Sequence, residues 1–191
     1  MIWQVWADIA IGLAIPAITI VLYYRRHIQR KHLWLMIWGF AVGSTWEFAF
    51  YFLGDTVHTM KVVWPMPIIT LHLWHTFWDA GLFIIGYWLC LLILTAPDCC
   101  TRFRWIELTI MWLWGVGQAF IVELLGNGVI WEYRVQSWNP VWITLGEQGY
   151  TILPQLIWSI APIVYYLGFV RINQRFQPQN ESLKNASVEN S

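Results

Sequence analysis

Ile68 to Ala96 reads IITLHLWHTFWDAGLFIIGYWLCLLILTA and contains no Lys or Arg. A hydrocarbon core of about 30 Å is crossed by ~20 apolar residues, so this run sets the fold class as a membrane-spanning helix. Within it His72, His75 and Asp79 stand at i, i+3 and i+7, which puts two imidazoles and a carboxyl on one helix face. Trp74 and Trp78, one turn apart, take a neighbouring face. A carboxylate near the middle of a span costs about 2.5–3.5 kcal/mol on the insertion scale, and such groups face the bundle interior. One polar residue there is explained by a hydrogen bond to a neighbouring helix. Three on one face favour a site.

The rest of the composition agrees with that class. The 191 residues are 58% hydrophobic and only 12% charged, with a mean hydropathy of +0.51, which excludes an ordinary soluble domain. The 11 Lys and Arg balance the 11 Asp and Glu, so no basic surface points to nucleic acid. Part of the 16 Trp belongs to the interfacial aromatic belt. Trp46, Trp78, Trp88, Trp112, Trp114 and Trp158 instead lie inside apolar runs, where each indole N–H wants a partner and each ring face can stabilise a cation. Of the three cysteines, Cys99 and Cys100 are adjacent, a poor geometry for a structural disulfide. The cysteines imply neither a disulfide framework nor a Cys-based metal site.

Reading outward from Ile68–Ala96 gives an all-α integral membrane protein of about five transmembrane helices. Span one runs from Ile2 to Tyr24 and is followed by RRHIQRKH from Arg25, the reverse of a signal peptide's charge layout. It reads as an uncleaved first helix with Asp8 near its outer end and a kink at Pro16. Span two, Leu33 to Gly54, carries Gly39 and Gly43 one turn apart, a face that permits close helix approach and that Glu47 continues. Span four, from Trp105 to about Ile130, carries Gln118 and Glu123. The segment Trp131 to Tyr150 is too polar to span and is expected to cap the outer mouth of the bundle. Span five, Thr151 to Arg171, holds Gln155, Trp158, Pro154 and Pro162, the pattern of a kinked helix lining a cavity. One bundle therefore covers 1–171, and the Asn/Gln/Ser-rich stretch 172–191 reads as a disordered tail.

Nine of the 11 basic residues fall in Arg25–Lys31, Arg102–Arg104 and the stretch from Arg171 onward, all on one side of the membrane. Lys61 and Arg134 fall on the other. This places the N-terminus outside and the C-terminus in the cytoplasm. The membrane would be the endoplasmic reticulum in a eukaryote and the inner membrane in a bacterium.

The bundle so assembled offers Glu47, His72, His75, Asp79, Gln118, Glu123, Gln155 and Trp158, with Trp46 and Trp78 beside them. Acids, imidazoles and indoles in an apolar cavity suit proton transfer to and from a lipid carbon. An acid protonates an alkene, aromatic faces and amide oxygens steady the cation, and a base removes a different proton. Glu47, pressed into a helix interface, is the expected donor; Asp79, held ionised by His75 one turn earlier, is the expected base. No cofactor is implied, and the sequence carries no signal of oligomeric state.

These residues carry a resemblance. The chain resembles the EXPERA-domain family of emopamil-binding sterol isomerase-like proteins in having five spans, an acid on span two (Glu47) and an acid early in span three (Asp79). It is also similar in Val116-Gly117-Gln118 on span four and in Gln155-x-x-Trp158-x-x-x-Pro162 on span five, where the family has Asn at the first position. The resemblance implies that Glu47 and Asp79 handle the proton and that Gln155 and Trp158 stabilise the cation of a sterol-like substrate. The family isomerase also has a His one turn before the span-two acid; this chain has Gly43. A weaker likeness joins Trp46-Glu47-Phe48 and Phe77-Trp78-Asp79 to the fungal membrane-bound meroterpenoid cyclases, which usually have seven spans. Both likenesses imply an isoprenoid or sterol-like lipid as partner. Two other classes compete: a non-catalytic lipid binder, and a metal enzyme using His72, His75 and Asp79.

The charge asymmetry makes a direct prediction. Asn180-Glu181-Ser182 and Asn185-Ala186-Ser187 are glycosylation sequons, and on a cytoplasmic tail both stay unmodified in a eukaryotic host. Endoglycosidase-sensitive sugar on either Asn would reverse the topology.

Overall fold

The computed structural model describes residues 2–96 and 98–189, with side chains described for 3–96 and 98–175. Five helices are long and apolar enough to cross a membrane: α1 (Ile2–Tyr24), α2 (Arg30–Leu53), α3 (Ile69–Leu94), α4 (Trp105–Gly126) and α5 (Leu153–Glu189). Each starts within a turn of the span read from the sequence. α1 runs helical through Pro16. α5 continues well past Arg171, where the sequence reading ends the fifth span. Asn173 is buried and its Nδ2 donates to the Cys100 carbonyl at 3.0 Å, so the packed part of the helix extends beyond that point. The remainder of the expected tail, 176–191, lies outside the residues whose side chains are described.

α3 is the hub: α1, α2 and α4 all pack on it, and α5 closes the far side against α2 and α4. The small-residue face of α2 does what its spacing suggests. A Cβ on Gly39 would stand 2.9 Å from the Ala80 Cα, and one on Gly43 would stand 3.0 Å from the Asp79 Cβ. Helices this close leave no room for side chains between them, so Glu47, one turn beyond Gly43, is pressed onto α3.

Aromatic packing fills the middle of the bundle. Tyr165, Tyr166 and Phe169 on α5 are fully buried, and Phe83 stacks on Tyr165 with ring centroids 4.4 Å apart. Several indoles find the partners that an apolar medium demands. Trp38 Nε1 donates to the Tyr165 carbonyl at 3.1 Å, Trp114 Nε1 to Leu82 at 2.7 Å and Trp112 Nε1 to Ser159 at 3.0 Å. The outer faces are apolar and open, with Leu92, Leu113, Leu125 and Ile160 all exposed. In water such a surface would aggregate; against lipid it is matched.

The segments between α2 and α3 and between α4 and α5 form a cap. β1 (His58–Met60) pairs antiparallel with β2 (Trp131–Tyr133), placing His58 opposite Tyr133. An ion pair between Lys61 and Glu132 continues that edge. β3 (Val141–Leu145) and β4 (Gln148–Thr151) make a hairpin with an irregularity between Val141 and Ile143. Buried Asn139 fastens the cap to the bundle: its Nδ2 donates to the Arg134 carbonyl at 3.0 Å and its Oδ1 accepts from the Leu153 N–H at 2.9 Å. The sequence's expectation of a capping segment holds, and its partner is the earlier loop.

Gly39→Ala should lower the thermal unfolding midpoint of the detergent-solubilised protein, since overpacking costs about 1–3 kcal/mol. Gly117→Ala, where a Cβ meets nothing within 4 Å, should leave it unchanged or raise it. Equal effects at both would contradict the α2–α3 contact.

Candidate functional site

Below the cap lies a cavity of about 530 Å³, within the range of small-molecule sites. Every helix contributes to it. α1 supplies Trp3 and Asp8, α2 Trp46 and Glu47, and α3 His75, Trp78 and Asp79. α4 adds Gln118 and Glu123, α5 adds Trp158, and the cap adds His58, Trp131 and Tyr133. Eight of the ten residues singled out in the sequence therefore share one wall-to-wall space.

Glu47 is the centre of its polar network. Its Oε2 lies 3.0 Å from His72 Nδ1 and 3.7 Å from His75 Nδ1. The other nitrogen of His75, Nε2, lies 2.7 Å from Asp8 Oδ2 on α1. Asp8, His75, Glu47 and His72 thus form a continuous chain across α1, α3 and α2. His72 Nδ1 and His75 Nε2 lie within hydrogen-bond reach of their carboxylate oxygens, and His75 Nδ1 meets Glu47 only as an ion-pair contact. Pairing satisfies a charge that burial would otherwise make very costly.

Asp79 is placed differently. It is buried beside Gly43, whose missing side chain leaves the carboxyl its space. The Trp46 indole approaches it, yet Asp79 Oδ2 is shielded from solvent and has no hydrogen-bond partner among the described residues. Of the four carboxyls that line the cavity, Glu47 is clamped by two histidines, Asp8 meets one, and Asp79 and Glu123 meet none. That asymmetry comes from helix packing: the i, i+3 spacing of His72 and His75 turns both rings toward α2 and α1.

Several expectations from the sequence are corrected by this geometry. His75 does not hold Asp79; its partners are Asp8 and Glu47. Asp8, given no role in the sequence reading beyond its place near the outer end of span one, is a member of the network. His72 is buried behind Glu47 and does not line the cavity. Gln155 also stays off the wall, because α5 turns Pro154, Ile157 and Trp158 inward and Gln155 sits on the adjacent face. The proposed metal set fares no better: among the described residues His72, His75 and Asp79 do not bring three ligand atoms together. The cluster that does is Cys90, Cys99 and Cys100, against the sequence reading of the cysteines.

Sequence reasoning missed the cap residues. His58 stands edge-on to His72, with ring centroids 5.6 Å apart, and tilted against Phe50 and Tyr133. Burial first, and then the charge of His72, hold its imidazole down to about 4, so it stays neutral at physiological pH. Its Nδ1 has no partner. Asp8 did carry a signal, as the one acid inside an otherwise apolar span. His58 and Tyr133 carried none, since only the β1–β2 pairing brings them over the cavity.

No family model, no curated protein sequence and no solved structure matches this chain.

The two carboxyls should respond oppositely to truncation. His72→Leu strips Glu47 of its nearest partner, and breaking a buried pair from one side costs about 3–5 kcal/mol. Asp79→Asn breaks no histidine pair and keeps a group of the same shape beside the Trp46 indole, so it should cost much less. Thermal unfolding of both variants in detergent checks this; equal losses would contradict the pairing.

Proposed function

We propose that the chain is an intramembrane acid–base enzyme that isomerises or cyclises an isoprenoid or sterol-like lipid through a carbocation. The observation that supports this most is the pairing asymmetry: a histidine-clamped carboxyl and a free one line the same aromatic cavity. In this reading Asp79 is the proton donor. Its O–H bond breaks as a C–H bond forms on a substrate alkene, leaving a tertiary cation and a carboxylate. Glu47, held by His72 and His75, takes a proton from a neighbouring carbon, and that C–H pair becomes the new double bond. Between turnovers Glu47 gives up its proton to water at the mouth of the cavity and Asp79 regains one there, so the net change is a moved double bond or a closed ring. The assignment reverses the roles expected from the sequence, where Glu47 was the donor.

The ring faces of Trp46, Trp78 and Trp158 line the space in which the cation forms and supply its stabilisation. Gln118 contributes an amide on the same wall, its Nε2 turned to the Gly115 carbonyl at 3.0 Å. Glu123 adds a further carboxyl. Water is a competing base and nucleophile, and an apolar cavity under a cap limits it. The resemblance to the EXPERA-domain family supports the same chemistry through Glu47, Asp79 and Trp158. Gly43 stands where that family has a His, and here the space beside it is taken by Asp79. The likeness of Trp46-Glu47-Phe48 to the meroterpenoid cyclases supports the carbocation step and leaves the product open. With the charge asymmetry, the cavity opens toward the outer face and the basic loops face the cytoplasm.

The test is lipid mass spectrometry on cells grown in deuterated water, with and without the protein, and with Glu47→Gln or Asp79→Asn. An isoprenoid or sterol species carrying one new deuterium should appear with the wild-type chain and vanish with both variants. An identical lipid profile in all four would remove the enzyme and leave a lipid-binding membrane protein.

A further inference from the structure

The end of the bundle opposite the cavity holds a second group of chemically able side chains. Cys90 lies near the end of α3, and Cys99 and Cys100 follow in the loop to α4. All three are buried, with exposures of 0%, 2% and 0%. Their sulfurs lie within 4.8 Å of one another, and Cys99 Sγ is 3.8 Å from Cys100 Sγ. We propose that Cys90, Cys99 and Cys100 form a three-thiolate site for a soft cation, and that the cation is Cu⁺.

The 3.8 Å between the Cys99 and Cys100 sulfurs is the spacing of a ligand pair, and Cys90 Sγ stands within 4.8 Å of both. Two thiolates bound to one ion at about 2.3 Å stand about 3.8 Å apart at a tetrahedral angle and about 4.0 Å apart at a trigonal one. Adjacent cysteines rarely direct both sulfurs to one point. Here Cys100 does so with φ 57°, a left-handed backbone that costs about 1–3 kcal/mol outside glycine and persists only where the surroundings enforce it. They do. The Cys100 N–H donates to Glu107 Oε1 at 3.0 Å, and Asn173 Nδ2 donates to the Cys100 carbonyl at 3.0 Å. Tyr166 donates its hydroxyl to Glu107 Oε2 at 2.7 Å and accepts from the Arg104 N–H at 2.8 Å. Such a shell of second-rank bonds is what orients the ligands of a metal centre.

The donor set selects the ion. Thiolates favour Cu⁺, Zn²⁺ and iron–sulfur clusters. Iron–sulfur clusters use four cysteines, and structural Zn²⁺ uses four ligands. Among the described residues no fourth His, Cys, Asp or Glu atom joins the three sulfurs. Both oxygens of Glu107 are already engaged. Three-coordination suits Cu⁺. Arg104 pairs with Asp98 and Glu107 alongside the three sulfurs.

The site does not depend on the lipid reading, and its test does not use lipid turnover. The full-length protein in detergent, reduced and kept anaerobic, is given Cu⁺ or Zn²⁺ in the presence of a competing chelator. Bound metal per chain and alkylation of the thiols are then measured. One Cu⁺ per chain, with all three cysteines protected from alkylation, is the expected result. Cys90→Ser should cut the bound Cu⁺ by at least tenfold. Alkylation of the unmodified chain at the same rate with and without Cu⁺ would overturn the proposal whether or not the variant folds. Protection by Zn²⁺ but not Cu⁺ would overturn the three-coordinate assignment.

Discussion

Glu47 Oε2 sits between two imidazoles, 3.0 Å from His72 and 3.7 Å from His75, inside a helical bundle with an apolar exterior. Removing a carboxylate from water costs several kcal/mol even after relaxation, and only close partners offset it. The pairing therefore constrains everything around it. α2 must lie against α3 so that Glu47 reaches both rings, which requires glycine at positions 39 and 43. α1 must lie against α3 so that Asp8 can complete the second nitrogen of His75. With those partners fixed, no imidazole is left for Asp79, and its carboxyl faces the cavity alone. The division of labour proposed for the two acids follows from helix geometry.

The cap and the cavity depend on each other in a similar way. β1 and β2 belong to loops far apart in the chain, and their pairing carries His58, Trp131 and Tyr133 over the opening. Asn139 ties that cap to the first turn of α5, the helix that brings Trp158 to the wall. A shift of the cap would alter both the access route for a lipid and the aromatic face that meets a cation. At the other end, Glu107, Tyr166 and Asn173 fix the Cys99–Cys100 turn with the same economy of buried hydrogen bonds. One end of the bundle is organised around nitrogen and oxygen, the other around sulfur.

The spans were legible because lipid demands long apolar runs, and the helices begin where those runs begin. The α2–α3 contact was legible from Gly39 and Gly43, since small residues one turn apart have few other uses in a span. Eight of the ten candidate site residues share the cavity for the same reason: polar groups in a membrane helix turn inward. Partnership was not legible. Spacing along α3 puts His75 near Asp79 in sequence, but a ring one turn away along a helix is less well placed than a carboxyl on a neighbouring helix. Gln155 looked inward because it is polar in a span, yet α5 rotates on its packing against Gly115, which directs Pro162 and Trp158 instead. The cysteines were unreadable as a group because only the left-handed turn at Cys100 folds the loop back onto α3.

The central claim is that the acidic proton of the site resides on Asp79 while Glu47 is the histidine-bound carboxylate. Infrared difference spectroscopy of the protein in lipid bilayers at neutral pH tests this directly, because a buried carboxylic acid has its own C=O band. The account predicts a band that disappears in Asp79→Asn and survives in Glu47→Gln. A band that survives in Asp79→Asn and disappears in Glu47→Gln would contradict it.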